Sequence, residues 1–263
     1  MAKRSAQARR RQQRHQAAYG AQHEESFEGD NVRRLFDEPQ WSPLGPERGG
    51  EAERDRKYRK NIRAHNPAQE RLIEALESTP LVFAAGAAGT GKTYIAVAKG
   101  VEALEAGRVR RIVLSRPAVE AGESLGFLPG DMEEKLSPYL RPLYDALCDR
   151  ISGKRLKALI AEGVIEIAPI AYMRGRTLNN AYVVIDEAQN CTYGQLKMLL
   201  TRLGWNSTMV VTGDPAQTDL LPGLSGLEEA MARLERLDQV AAVRFTRDDV
   251  VRHPLVAEMI DAL

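Results

Sequence analysis

The run GAAGTGKT, Gly86 to Thr93, has the residue types and spacing of a phosphate-binding loop. Its glycines let backbone N–H groups close around phosphate oxygens, and a lysine and a hydroxyl follow in order. The flanks give the match its weight. The aliphatic run LVFAA (81–85) precedes it and a helix-forming stretch (92–106) follows, so the positive N-terminus of a helix would face the anion. Gly86, Ala87, Ala88, Gly89, Thr90 and Gly91 are the expected cradle for ATP. Lys92 is expected to bridge the β- and γ-phosphates, and the Thr93 hydroxyl to ligate Mg2+.

A second constellation lies downstream in VVIDEAQ, Val183 to Gln189. Asp186 ends an aliphatic run, where an open α/β sheet places its ligands, and so can hold the water shell of the metal. Glu187 is the candidate base that takes a proton from an attacking water. The competing reading makes both acids caps of the helix that begins near Thr192. TGDPAQTDL (212–220) adds Asp214 and Gln217 at the end of the next aliphatic run, where they would sense the γ-phosphate. Taken alone, GDPAQ is an ordinary turn.

These groups need a frame to hold them. Aliphatic runs at 81–85, 111–115, 164–169, 181–186, 208–213 and 240–245 read as strands buried on both faces of a parallel sheet. Helical stretches at 92–106, 192–203, 224–236 and 249–261 alternate with them, which predicts a three-layer α/β fold of βαβ units. Asn66, Pro67 and Gln69 have the pattern of an N-cap, a first-turn proline and a capping-box partner, opening a helix through Leu76.

Composition divides the chain. Residues 1–65 carry 15 Lys and Arg against 10 Asp and Glu, and the rest carries 22 against 26. Residues 1–60 are poor in aliphatics and rich in Pro and Gly, so they read as a basic, disordered or extended tail, with the folded domain at 61–263. The tail is equally consistent with phosphate-backbone binding and with a solubilising role. Its Arg-rich, acid-poor start also fits an organelle transit peptide, while the polar stretch after it does not read as a secretory signal, and cytoplasm is the expected compartment. Cys148 and Cys191 lack disulfide or metal-site spacing, and no run reaches the ~18 apolar residues of a membrane span.

The motifs together resemble the PhoH family of phosphate-starvation proteins, P-loop ATPases related to superfamily 1 helicases. The resemblance runs from about Ile62 to Leu263 and rests on GAAGTGKT, LSRPAVEAGESLGFLPGD (114–131), YMRGRTL (172–178), VVIDEAQN (183–190), TGDPAQTDL (212–220) and DVVRHPLV (249–256). It implies a single RecA-like domain that binds and hydrolyses ATP. Gln69 falls where those helicases recognise adenine, an alternative to the capping role. Gln217 matches a γ-phosphate reader, and Arg252 resembles an arginine brought to the γ-phosphate from outside the first core, against a plain helix-surface role. Arg174 and Arg176 match positions that contact single-stranded nucleic acid or relay nucleotide state, or else serve solvation and subunit contacts.

Only 46 residues follow Gln217, too few for a second RecA-like domain of ~100 residues. The expectation is therefore a ring-like homo-oligomer, a hexamer being one form, with sites completed between subunits. Single-stranded RNA and a ribonuclease are the expected partners. The alternative is a nucleotide-dependent switch or scaffold without motor activity.

Overall fold

The computed structural model describes residues 62–117, 132–251 and Met259, with backbone alone for 132–139. The tail 1–60, the segment carrying Gly122, Gly126, Pro129 and Gly130, and Arg252 lie outside the described residues. Six strands make one sheet: β1 (Leu81–Gly86), β2 (Arg111–Ser115), β3 (Ile165–Ile167), β4 (Ala181–Ile185), β5 (Thr208–Gly213) and β6 (Val240–Phe245). Their order is β3-β2-β4-β5-β1-β6 and every neighbouring pair is parallel. This is the parallel-sheet α/β architecture that the alternating pattern predicts.

Near-continuous aliphatic strands are stable only when both faces are covered, and here they are. Side chains alternate with a period of two. Val82, Ala84, Ile112, Leu114 and Val184 point into one core with Leu72 and Leu76 of α1 (Pro67–Ser78), Ile95 and Val101 of α2 (Lys92–Glu105), Leu143 and Leu147 of α3 (Met132–Cys148), and Leu156 of α4 (Gly153–Ala161). Phe83, Val113, Val183 and Val211 point the other way, against Leu196 and Leu199 of α5 (Tyr193–Leu200) and Leu227 and Met231 of α6 (Leu227–Leu234).

Strand limits at 111–115, 208–213 and 240–245 fall where the sequence puts them. The run 164–169 yields three paired residues, because β3 is an edge strand that pairs with β2 alone. The stretch 192–203 becomes a helix from Tyr193 to Leu200, opened by a capping box between Thr192 and Gln195. Arg247–Asp249 forms one 3-10 turn where a helix from 249 was expected, and most of that stretch lies outside the described residues. No helix among the described residues is long and apolar enough to cross a membrane.

Arg176 is committed internally. Its guanidinium donates to both carboxylate oxygens of Glu166, at 2.5 and 2.7 Å, tying the segment before β4 to the edge strand. Arg174 is exposed. The Arg176 hydrogen bond holds the Glu166 carboxyl below its usual 4.5, against the opposing effect of burial. A depressed folded-state value gives stability that is present above 4.5 and is lost as pH falls through the lowered value. Glu166→Gln is expected to remove that part of the acid dependence, worth about 1 kcal/mol or less for a partly exposed pair. Urea midpoints of both proteins from neutral pH downward check this, and identical acid slopes would contradict it.

Candidate functional site

The loop after β1 closes tightly because Gly86, Gly89 and Gly91 take φ of 132°, 79° and 84°. Gly91 is the left-handed N-cap of α2 and leaves the first N–H groups of that helix open toward the loop. Lys92 folds back over it. Its Nζ donates to the carbonyls of Gly86 at 2.7 Å and Ala87 at 2.8 Å, with the Thr90 hydroxyl at 3.4 Å. Burial pushes the Lys92 pKa down, while Asp214, Glu187 and Asp186 pull it back up. The ammonium is thus partly desolvated, held by loop carbonyls and beside three acids.

Asp186 stands one residue beyond β4. It is 2% exposed, and its Oδ1 accepts from the Thr93 and Thr212 hydroxyls, each at 2.6 Å. Glu187 follows in a left-handed conformation, φ 53°, which costs a non-glycine residue of order 1 kcal/mol and recurs where strain serves a site. The amide of Gln189 donates to its Oε2. Sequence reading missed Gln189, although it stands two residues after the acid. This buried side chain also accepts from the Asp214 N–H at 3.0 Å and donates to the Gln217 carbonyl at 3.3 Å, so it joins the acid pair to the turn after β5.

Arg116, which the sequence offers only as a member of the motif LSRPAVEAGESLGFLPGD, lies on both acids. Its Nη1 is 3.5 Å from Asp186 Oδ2 and its Nη2 is 3.4 Å from Glu187 Oε1. Strand pairing explains this. Ser115 and Ile185 are opposite one another in β2 and β4, so the residues just past both strand ends must meet.

Asp214 accepts from the Ala88 N–H at 3.1 Å and from Gln217 Nε2 at 2.8 Å, linking the phosphate loop to the next strand end. Gln217 is exposed. Lys92, Thr93, Asp186, Glu187 and Gln217 therefore line one cavity of about 250 Å3, with Ala88, Gly89 and Gly91 of the loop. Gln69 does not line it. Its buried amide donates to the Thr90 carbonyl at 2.9 Å and accepts from the His65 N–H at 2.9 Å, so the side chain braces the back of the loop. Asn66 accepts from the Gln69 backbone N–H at 2.8 Å as the N-cap, but the reciprocal bond of a capping box goes to His65 instead. Arg252 has no described position. Val251, immediately before it, donates to the Gly89 carbonyl at 3.0 Å.

An all-protein metal cage is absent: no cluster of three or more His, Cys, Asp or Glu side chains among the described residues could hold an ion. The neighbouring Thr93 and Asp186 oxygens beside a phosphate cradle instead suit a hard cation that keeps much of its water and takes its other ligands from phosphates.

Residues 61–263 match the family described as PhoH-like protein. A PhoH-like protein of Bacillus subtilis is 55% identical over 204 residues, which cover 77% of this chain and 64% of that one. Protein PhoH of Escherichia coli is 48% identical over 212 residues, covering 80% of this chain and 60% of that one. The aligned region thus spans about three-fifths of these relatives. Among solved structures, the large terminase of a thermophilic bacteriophage gives a TM-score of 0.49 at 13% identity, covering 76% of this chain and 50% of that chain.

Proposed function

The chain belongs to the PhoH-like family, and from that premise we propose that it is a Mg2+-dependent ATPase coupled to single-stranded RNA. The observation that carries the reading is the convergence of Lys92, Thr93, Asp186 and Glu187 on one cavity at the carboxyl edge of the sheet. The loop N–H groups and Lys92 would hold the triphosphate, and Thr93 and Asp186 would hold the metal, which when bound neutralises charge on the β- and γ-oxygens. Glu187 would take a proton from water as its oxygen bonds to the γ-phosphorus. The bond to the bridging oxygen breaks, releasing ADP and inorganic phosphate. Gln217 would sense the γ-phosphate.

Arg252 is assigned to completing the site, supplied by a neighbouring subunit of a ring-shaped homo-oligomer. A chain that stays monomeric in native mass spectrometry while hydrolysing ATP at a rate per subunit independent of concentration would refute that assignment. The geometry of Gln69 favours support of the loop over adenine recognition. A ribonuclease partner and a cytoplasmic location complete the reading.

Arg116 favours a second reading, a nucleotide-dependent switch. It spans the acids that would hold the metal and activate water, so a change in what those acids hold would be felt directly at Arg116. ATP turnover with and without single-stranded RNA separates the two. The wild type should be stimulated by RNA, and Lys92→Ala should lose at least about 10²-fold in turnover with or without it. Unchanged turnover in Lys92→Ala would overturn the ATPase reading, and indifference of the wild type to RNA would favour the switch.

A further inference from the structure

A cavity of about 700 Å3 opens at the other end of the sheet, where β4 and β5 begin. The six residues of β5 separate it from the phosphate loop by roughly 20 Å. Nothing in the proposed hydrolysis uses it, yet its walls carry three features that point to a ligand.

One is Trp205, which is 84% exposed. It is not on a loose loop. The Trp205 N–H donates to Asn179 Oδ1 at 2.8 Å, its carbonyl accepts from the Asn180 N–H at 2.8 Å, and the Gly204 N–H donates to the Leu178 carbonyl at 3.2 Å. A Cβ on Gly204 would fall 2.2 Å from Asn179 Oδ1, so the two segments are in close contact. The indole is therefore held out into water by a braced backbone, as a stacking platform requires.

The charge balance is the second feature. Lys99 is committed to Glu77 at 2.5 Å and Glu102 at 3.0 Å, which neutralises the acid in the wall. Arg108 lines the cavity, is exposed, and has no ion pair within 4.0 Å among the described residues. Exposed Arg110 stands close by, its N–H bonded to the Asn180 carbonyl at 2.7 Å. The third is Tyr182. It is 1% exposed, lines the cavity, and its hydroxyl has no hydrogen-bond partner among the described residues, an uncompensated polar group in the interior. Burial raises its pKa, so it remains a neutral donor.

We propose that this cavity binds a nucleoside phosphate, with the base stacked on Trp205, the phosphate at Arg108, and the Tyr182 hydroxyl available to a polar edge of the ligand. A protein anchor would instead be ringed by apolar surface that excludes water. Here Arg108, Asn206, Ser207 and Thr208 share the lining with Trp205, so polar groups face the cavity alongside the apolar Leu76, Pro80 and Leu203. The ligand is either a free nucleotide or one unit of a single strand. The inference does not depend on ATP hydrolysis at the opposite edge.

The chain has two tryptophans, Trp41 and Trp205, so full-length Trp41→Phe reports on Trp205 fluorescence alone. Saturable quenching by an oligouridylate of about ten nucleotides is expected. Quenching by the oligomer but not by UMP identifies a single strand as the source, and quenching by both identifies a mononucleotide pocket. In anisotropy titrations with the labelled oligomer, or by calorimetry with UMP, Trp205→Ala and Arg108→Glu should each weaken binding by about 5- to 150-fold, Trp205→Phe by less. ATP turnover without RNA should stay unchanged in all three, and unchanged thermal melting certifies the fold. Absence of quenching by either ligand, or undiminished affinity in both Trp205→Ala and Arg108→Glu, would overturn the proposal. A changed oligomeric mass in Trp205→Ala with undiminished nucleotide affinity would reassign the surface to a subunit contact.

Discussion

Glu187→Gln is expected to bind ATP as tightly as the wild type and to hydrolyse it about 10²- to 10⁴-fold more slowly, the usual contribution of a positioned general base. The two effects separate because the groups separate. In the proposed reading the triphosphate is held by the loop N–H groups and Lys92 and the metal by Thr93 and Asp186, and neither Lys92 nor Thr93 donates to Glu187. The substitution keeps side-chain length and shape, and so preserves the left-handed turn at φ 53°. It removes only the ability to accept a proton and the charge that faces Arg116 Nη2 at 3.4 Å. Calorimetric ATP binding and steady-state phosphate release on the same preparation test it. Hydrolysis at the wild-type rate would remove Glu187 from its role, and lost binding would mean that the Arg116 contact organises the nucleotide site.

Why the sequence revealed the acids but not their neighbours follows from the kind of contact each makes. Asp186 was legible because an aliphatic run ends there, and strand termini at the carboxyl edge are where such sheets place ligands. Arg116 was not, because its contacts span 70 residues and depend on β2 lying beside β4. The order β3-β2-β4-β5-β1-β6 is not the order of the chain, and no local pattern encodes it. Once that adjacency is known, the Ser115–Ile185 pairing puts Arg116 beside Asp186 without further assumption. Gln189 was hidden for a related reason. The 3-10 turn Ala188–Asn190 carries it back over Glu187 and toward Gly213, whose missing side chain lets it approach: a Cβ there would lie 2.7 Å from Gln189 Oε1. At Gln69 the sequence offered two roles and the structure supplied a third. The capping pattern gave the N-cap bond at Asn66 correctly, while the buried amide of Gln69 was claimed by the Thr90 carbonyl, 21 residues away.

Gly86 makes the same point through stability, and Gly86→Ala is expected to cost about 3–5 kcal/mol. As the first glycine of GAAGTGKT it reads from sequence as a place where backbone approaches phosphate. The structure gives a stronger demand. Gly86 pairs with Phe245 across β1 and β6, and a Cβ at its position would lie 2.0 Å from the Phe245 carbonyl oxygen. That obstacle is backbone in a parallel ladder, so relief requires moving β6 rather than rotating a side chain. Its φ of 132° adds strain for any residue with a Cβ. Gly107→Ala is the control, since Gly107 also has positive φ, 68°, but nothing lies within 4 Å of the added Cβ. It should cost only about 1 kcal/mol, so the difference between the two variants isolates the collision. Displacing β6 would also move the Phe245 ring from its place 6.0 Å from Lys92 Nζ, and ATP affinity should fall together with stability. Urea unfolding and ATP titration of both variants decide the matter. If Gly86→Ala unfolds no more easily than Gly107→Ala, β6 yields to the added methyl, and the glycine is kept for phosphate alone.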